Sequence, residues 1–377
     1  MKILIAMDSF KESLSSLEAA QAAERGFRRV CPEAEISLIP VADGGEGTTE
    51  ALIYGAGGKP EQVRVLDLLG RTRCCHYGIL PDGTAVIEAA AAAGLQLLRA
   101  QERDPLHTTS YGLGQMIAAA IKKGCRNFVI GLGGSGTNDG GIGMLQALGF
   151  GMLNCEGVQV PYGAEGMSKI HCIDTSGAIP ELSECKFEIA CDVNNPLCGE
   201  NGASAVYGPQ KGADSALILQ MDAWMAQYAE KVKSVLPCSD PAFPGAGAAG
   251  GLGFAMMSFL HGTMHRGIDL VIEHSGLRDK IRTVDLVVTG EGCIDGQTST
   301  GKTPWGIAAA AKELDKPVIA LCGSLRNAEE IHEKIDACFS IVSEPCSLDV
   351  ALNPTVAANN LANTAEQVLR MIKAVQK

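Results

Sequence analysis

Short apolar runs alternate with stretches of helical periodicity along this chain, most clearly at its two ends. Lys2–Ala6 (KILIA) is a continuous apolar run that stops at Asp8 and predicts a strand. Ser15 stands three residues before Glu18, a capping-box spacing, ahead of Leu17, Ala20, Ala23, Phe27 and Val30. Pro32 closes that helix, and Ile36–Val41 is the next predicted strand. Toward the other end, Val284–Thr289, Pro317–Leu321 and Ala337–Val342 read as strands, with helices predicted near Gly306–Leu314 and Glu329–Ile335. Such alternation predicts an α/β fold with a parallel, doubly wound sheet.

The middle of the chain follows a different pattern. Val63–Leu69, Arg71–Leu80 and Thr84–Glu88 predict a meander, with Pro81-Asp82-Gly83 as a turn. A helix is predicted near Tyr111–Lys123, ended by Gly124, then a strand at Asn127–Leu132. A long helix follows near Asp214–Leu236, with Leu217, Met221, Trp224, Tyr228, Val232 and Val235 on one face. The expectation is a discontinuous domain of residues 1–64 plus 280–377 and a second α/β domain, 65–279, inserted into it.

Composition narrows the function classes. At about 150 residues per domain, 377 residues suggest two domains. Apolar residues make up 46%, too much for a disordered chain, and 45 glycines without a G-X-Y period exclude collagen. Lys plus Arg number 31 against 43 Asp plus Glu, a net charge of −12. With no basic block, no nucleic-acid partner is expected. No run approaches the ~18 apolar residues of a membrane span, and the first residues lack a signal-peptide core. The fourteen Cys include no C-x-x-C pair and read as reduced, core-filling thiols, so a cytoplasmic location is expected.

Five segments, three of them rich in glycine, gather acidic, hydroxyl or amide residues at the ends of predicted strands, where α/β proteins bind ligands. They are Asp8-Ser9-Phe10-Lys11, Asp43-Gly44-Gly45-Glu46-Gly47-Thr48, the run Gly131–Gly141 (GLGGSGTNDGG), Asp192-Val193-Asn194-Asn195-Pro196, and Gly290-Glu291-Gly292 running on to Gly301-Lys302-Thr303. Any one Gly-rich turn is explained by backbone geometry and a lone Asp by helix capping. Five together point to anion cradles of backbone N–H groups beside carboxylates that bind Mg²⁺ or take a proton. That combination suits phosphoryl transfer.

Several motifs carry less. Gly296–Thr303 satisfies the Walker A pattern G-x-x-x-x-G-K-[ST], but the strand before it ends near Thr289, and Pro304 stands in the first helical turn. Lys302 is therefore expected to be a phosphate-binding cation on a fold other than a P-loop. His261 and His265 lack the Glu of H-E-x-x-H, and no zinc site is expected. Ser135 is not in a G-x-S-x-G elbow, and the adjacent Cys74 and Cys75 read as structural.

Taken together, the loops resemble the type-1 glycerate kinases, which phosphorylate D-glycerate with ATP. The resemblance spans nearly the whole chain: KILIAMDSFKESLSS, PVADGGEGTTEAL, TAVIEAAAAAGL, GLGGSGTNDGGIGMLQALG, CDVNNPLCGENGASAVYGPQKGA, PGAGAAGGLGFA and VVTGEGCIDGQTSTGKTPWGIA occur in family order. Met7 stands where Pro is usual, Gly136 where Ala is usual and Cys293 where Arg is usual, so no Arg role is carried over to position 293. The resemblance implies a Rossmann- or flavodoxin-like domain, a restriction-endonuclease-like domain, and an active site in the cleft between them. It also implies that the Walker A match is coincidental.

The expected reaction is in-line transfer of the γ-phosphoryl of Mg·ATP to glycerate, giving 2-phosphoglycerate by resemblance. Asp192 or Asp8 is the candidate base, and Lys11 holds the substrate carboxylate or a phosphate oxygen. Substrate or phosphate contacts are expected from Ser9, Gly44, Gly45, Gly133, Gly134, Ser135, Thr137, Asn138, Asn194, Gly290, Thr298 and Lys302. Asp43, Glu46, Glu291 and Asp295 are candidate Mg²⁺ ligands. The rival readings are a kinase for another small hydroxy acid, formation of 3-phosphoglycerate, and a non-catalytic metabolite sensor. Oligomeric state is left open.

Overall fold

A computed structural model describes residues 1–296, 298, 302–326 and 329–375. The chain is α/β, and its contacts divide it into two units with a sheet each. One unit comprises Met1–Asp43, Glu50–Gly58 and Ile268–Lys377; the other comprises Gly44–Thr49 and Lys59–Gly267. The expected boundaries at 64 and 280 fall inside the strand Lys59–Leu66 and the helix Leu277–Thr283, elements that their own hydrogen bonds keep whole.

The first unit holds five parallel strands in the order Ala337–Ser340, Val318–Cys322, Leu286–Gly290, Lys2–Met7, Glu35–Leu38. Numbered along the chain this is the flavodoxin-like order 2-1-3-4-5, which reverses between Lys2–Met7 and Leu286–Gly290. Ser15 and Glu18 form the expected reciprocal cap of the helix Ser16–Val30. Its Ala20, Ala23 and Phe27 pack on Ile3, Ile5, Val288 and Leu321. The expected strand Ile36–Val41 is regular only over Glu35–Leu38, although the Ile39 and Val41 N–H groups beyond it still donate to the Ile5 and Met7 carbonyls. Instead of a helix, Glu329–Glu333 forms a short 3₁₀ turn, enough to bury Ile331 and Ile335. A helix at Pro354–Val375, absent from the expectations, packs on Ser16–Val30. Gly26 permits that approach: a Cβ there would stand 2.1 Å from the Ala362 carbonyl oxygen.

The second unit holds a mixed six-stranded sheet, Thr263–His265, Lys186–Ala190, Asn127–Gly131, Ala85–Glu88, Thr72–Ile79, Lys59–Leu66. The last three form the expected antiparallel meander, starting at Lys59 rather than Val63, and the first four are parallel. The long helix Ser215–Val235 buries Met221, Met225, Tyr228, Ala229 and Val232. Val235, expected on that face, is exposed, because the apolar stripe drifts past it in the last turn. All fourteen cysteines are free thiols. Among the described residues no helix is long and apolar enough to cross a membrane.

Candidate functional site

In the first unit the chain leaves its sheet at Met7 and Gly290, which are partners across adjacent strands. The residues that follow, Asp8 and Glu291, therefore emerge together at the point where the strand order reverses, the usual ligand position in such sheets. The Asp8 N–H donates to the Gly290 carbonyl at 2.9 Å, and Asp8 Oδ1 accepts the Ser9 N–H at 2.6 Å. Gly290 is glycine for a packing reason, since a Cβ would stand 1.9 Å from the Leu321 carbonyl oxygen.

Burial, and next the charge of Asp43, raise the Asp8 pKa from 3.8 to about 6, against the Thr303 hydroxyl, the Ser9 amide and Lys11. Burial likewise raises Glu291 from 4.5 to about 7; the Asp8 and Asp295 charges add to this, and Thr298 and Lys302 oppose it. Thr298, wholly buried, donates its hydroxyl to Glu291 Oε1 at 2.7 Å and its N–H to the Asp295 carbonyl at 2.9 Å. A carboxyl that titrates near neutrality can take a proton from a hydroxyl at physiological pH. Ser9 is half-buried beside this pair, and Lys11 is exposed.

The Walker A match does not sit in a P-loop context. A further short strand, Cys293–Ile294, paired with Ser324–Leu325, stands between the strand Leu286–Gly290 and the loop. Lys302 precedes the helix Thr303–Lys312, with its Nζ 4.0 Å from Asp295 Oδ1. Gly301 lies outside the described residues.

The second unit carries a glycine-rich turn. The turn after Asn127–Gly131 packs against Gly44 and Gly45: the Gly133 N–H donates to the Gly44 carbonyl at 3.3 Å, and a Cβ on Gly133 would stand 2.5 Å from Gly45 Cα. Gly134 takes a φ of +73°. The turn's carbonyls bond to protein donors: Gly134 O accepts the Leu95 N–H at 2.8 Å, and Thr137 O accepts Lys211 Nζ at 2.6 Å. Its Gly134 and Ser135 N–H groups donate to no protein acceptor among the described residues. Successive unpaired amides around a left-handed glycine make an anion-binding nest. Thr137 and Asn138, expected to contact phosphate, are instead wholly buried, with the Asn138 amide donating to Ser204 Oγ at 2.9 Å. Tight packing draws that half of the motif inward, whereas Gly133 is half-buried and Gly134 exposed. Lys211, which the Pro209-Gln210-Lys211-Gly212 context disguises as a surface turn, is buried beneath them.

Asp192 follows the strand Lys186–Ala190 and is exposed, its Oδ1 accepting the Gly267 N–H at 2.9 Å. Asn194 and Glu46 are exposed, whereas Asn195 is held by Tyr207 and Asn201. Of the four candidate metal ligands, Asp43, Glu291 and Asp295 belong to the first unit and Glu46 to the second. Among the described residues no three His, Cys, Asp or Glu side chains stand close enough to hold a metal ion by themselves.

The comparisons with known proteins agree with one another. The description "Glycerate kinase family" matches residues 3–373. The chain is 46% identical over 372 residues to "Glycerate 2-kinase" of Escherichia coli, covering 97% of this chain and 98% of that one. It is 45% identical over 376 residues to "Glycerate kinase" of Bacillus subtilis, covering 99% and 98%. A solved structure from Salmonella typhimurium LT2, provisionally described as a glycerate kinase 2, aligns with a TM-score of 0.90 at 44% identity, over 100% of this chain and 99% of that one.

Proposed function

We propose a reaction for this chain on the premise that it belongs to the glycerate kinase family, matched over residues 3–373. As a member it is an ATP-dependent kinase acting on glycerate. The finer reading is transfer of the γ-phosphoryl of ATP to the 2-hydroxyl of D-glycerate, giving 2-phosphoglycerate. The name of the Escherichia coli relative supports that regiochemistry.

The observation that carries the mechanism is the pairing of buried Asp8 with half-buried Glu291 at the reversal of the strand order. Asp8, with a pKa of about 6, accepts the hydroxyl proton as the glycerate oxygen forms its bond to the γ-phosphorus and the bond to the ADP oxygen breaks. Asp192, the other candidate base, is exposed and already accepts from Gly267, which suits holding substrate together with Asn194. Lys302 and Lys11 supply positive charge to phosphate or carboxylate oxygens. The Gly133–Ser135 nest, with Gly44 and Gly45 packed against it, holds an anionic group of one substrate.

The carboxylates also fit Mg²⁺. They are hard oxygen donors, and Asp8 and Glu291 stand in mutual repulsion that a nearby cation relieves. Nucleotide sites characteristically use one or two carboxylates together with the phosphates rather than an all-protein cage. Asp43, Glu291 and Asp295 are the residues that would hold it, with Glu46 as a further candidate. The ion's contribution when bound is neutralisation of charge on the transferring phosphoryl group.

An ATP-coupled assay with D-glycerate, L-glycerate and other small hydroxy acids tests this reading. The expected result is turnover strongest with D-glycerate, with kcat lost in Asp8→Asn. If Asp8→Asn and Asp192→Asn both keep near-normal kcat, the acid–base assignment is wrong. Tight glycerate binding without ATP turnover would turn the reading to a metabolite sensor.

A further inference from the structure

Lys211 is a buried charged group that the reaction above leaves unused. It closes the 3₁₀ turn Pro209–Lys211 and is 1% exposed. Its Nζ donates to the Thr137 carbonyl at 2.6 Å and to Ser135 Oγ at 3.4 Å. Among the described residues no carboxylate stands within ion-pair distance of it. The Asp139 charge acts on it, yet the Asp139 oxygens are committed to Ser110, Gly141 and Gly143. Burial pulls the ammonium pKa down to about 8. An ammonium buried without a direct counter-ion is costly, and a core needing only to fill that space would be better served by an apolar side chain.

The turn above this ammonium has the chemistry the charge lacks. Ser135 Oγ accepts from Lys211 and keeps its own proton to donate, alongside the unpaired N–H groups of Gly134 and Ser135. Gly134 is exposed, so the nest opens to solvent while the cation beneath it does not.

We propose that Lys211 is a positioning residue for an anionic ligand: its buried charge fixes the turn 133–137 through Ser135 and the Thr137 carbonyl and supplies the counter-charge for a phosphate or carboxylate bound there. The proposal rests on the kinase reading above, whose two substrates offer both anions, the triphosphate of ATP and the carboxylate of glycerate.

Lys211→Met, Ser135→Ala and the wild type are compared for thermal midpoint, for the rise in midpoint on adding ATP or glycerate, and for kcat and KM. Lys211→Met is expected to keep or exceed the wild-type midpoint, because it removes an uncompensated buried charge. It is expected to lose most of the midpoint rise with one of the two ligands and to raise that ligand's KM at least tenfold. Loss with ATP assigns the nest to phosphate, and loss with glycerate assigns it to the carboxylate. Ser135→Ala, which leaves the lysine in place, should raise the same KM by a smaller factor.

Parallel loss of stability and activity in Lys211→Met, with unchanged KM in Ser135→Ala, would show a purely structural lysine and overturn the proposal. So would wild-type KM values in both variants. The midpoint shifts need no turnover. A wild type that shows them yet phosphorylates nothing therefore contradicts the kinase reading and leaves this test standing.

Discussion

Asp8→Asn separates the cost of a buried carboxylate from its use. Burial and Asp43 raise the Asp8 pKa from 3.8 to about 6, so folding favours its protonated form. The sign follows: the penalty is absent well below pH 4, grows as pH rises toward 6, and is complete above that. At about 1.4 kcal/mol per pKa unit, ionised Asp8 costs the folded protein roughly 3 kcal/mol at pH 7.5 but only about 1 kcal/mol at pH 4.5. Asparagine carries no charge, and its Oδ1 can still accept the Ser9 N–H. The variant should therefore be more stable than wild type by up to about 3 kcal/mol at pH 7.5, a rise of several degrees in thermal midpoint. The gain should shrink to about a third of that at pH 4.5. In the same preparation kcat should fall by about 10²- to 10⁴-fold, the usual worth of a positioned base. Paired melts at the two pH values and an ATP-coupled assay read both effects. A variant less stable than wild type at pH 7.5, a gain independent of pH, or a wild-type kcat would refute the reasoning.

Three further outcomes follow from the geometry. Lys302→Ala removes a cation beside Asp295 and Glu291 and should raise the KM for ATP about tenfold, roughly 1.4 kcal/mol, with little change in melting. Gly134→Ala meets no hard clash, its Cβ lying 3.4 Å from Ala90 Cβ, but its φ of +73° should cost about 1–2 kcal/mol, read as a lowered denaturation midpoint. Gly26→Val forces apart two packed helices, since even a Cβ would stand 2.1 Å from the Ala362 oxygen; it should destabilise by about 1–3 kcal/mol or more in a circular-dichroism melt, while folded enzyme keeps its KM values.

The central strands of the first sheet were legible because they are buried on both faces and read as nearly unbroken apolar runs, as Lys2–Met7 and Leu286–Gly290 do. The helix Pro354–Val375 was not, because its buried face is built largely on Ala357, Ala362 and Ala365, too weakly apolar to stand out beside Asn and Thr. At the candidate site, sequence pointed to Asp8 and Glu291 through their place just after strand ends. It could not show that they share a position or titrate near neutrality, since both depend on register and burial. The run Gly131–Gly141 has two environments that spacing alone cannot separate. The Gly134 and Ser135 N–H groups donate to no acceptor among the described residues, whereas Thr137 and Asn138 are wholly buried. Lys211 left no signal, because a lysine between Gln210 and Gly212 has the sequence context of a solvated turn.

The product of ATP and D-glycerate, followed by ³¹P NMR, tests the central claim most directly. Attachment at the 2-position leaves one proton on the ester carbon, so the new phosphomonoester resonance should be a doublet that grows as ADP appears. A triplet, marking a CH₂ ester and therefore 3-phosphoglycerate, would contradict the proposed regiochemistry. An unchanged ATP spectrum would contradict the kinase reading itself.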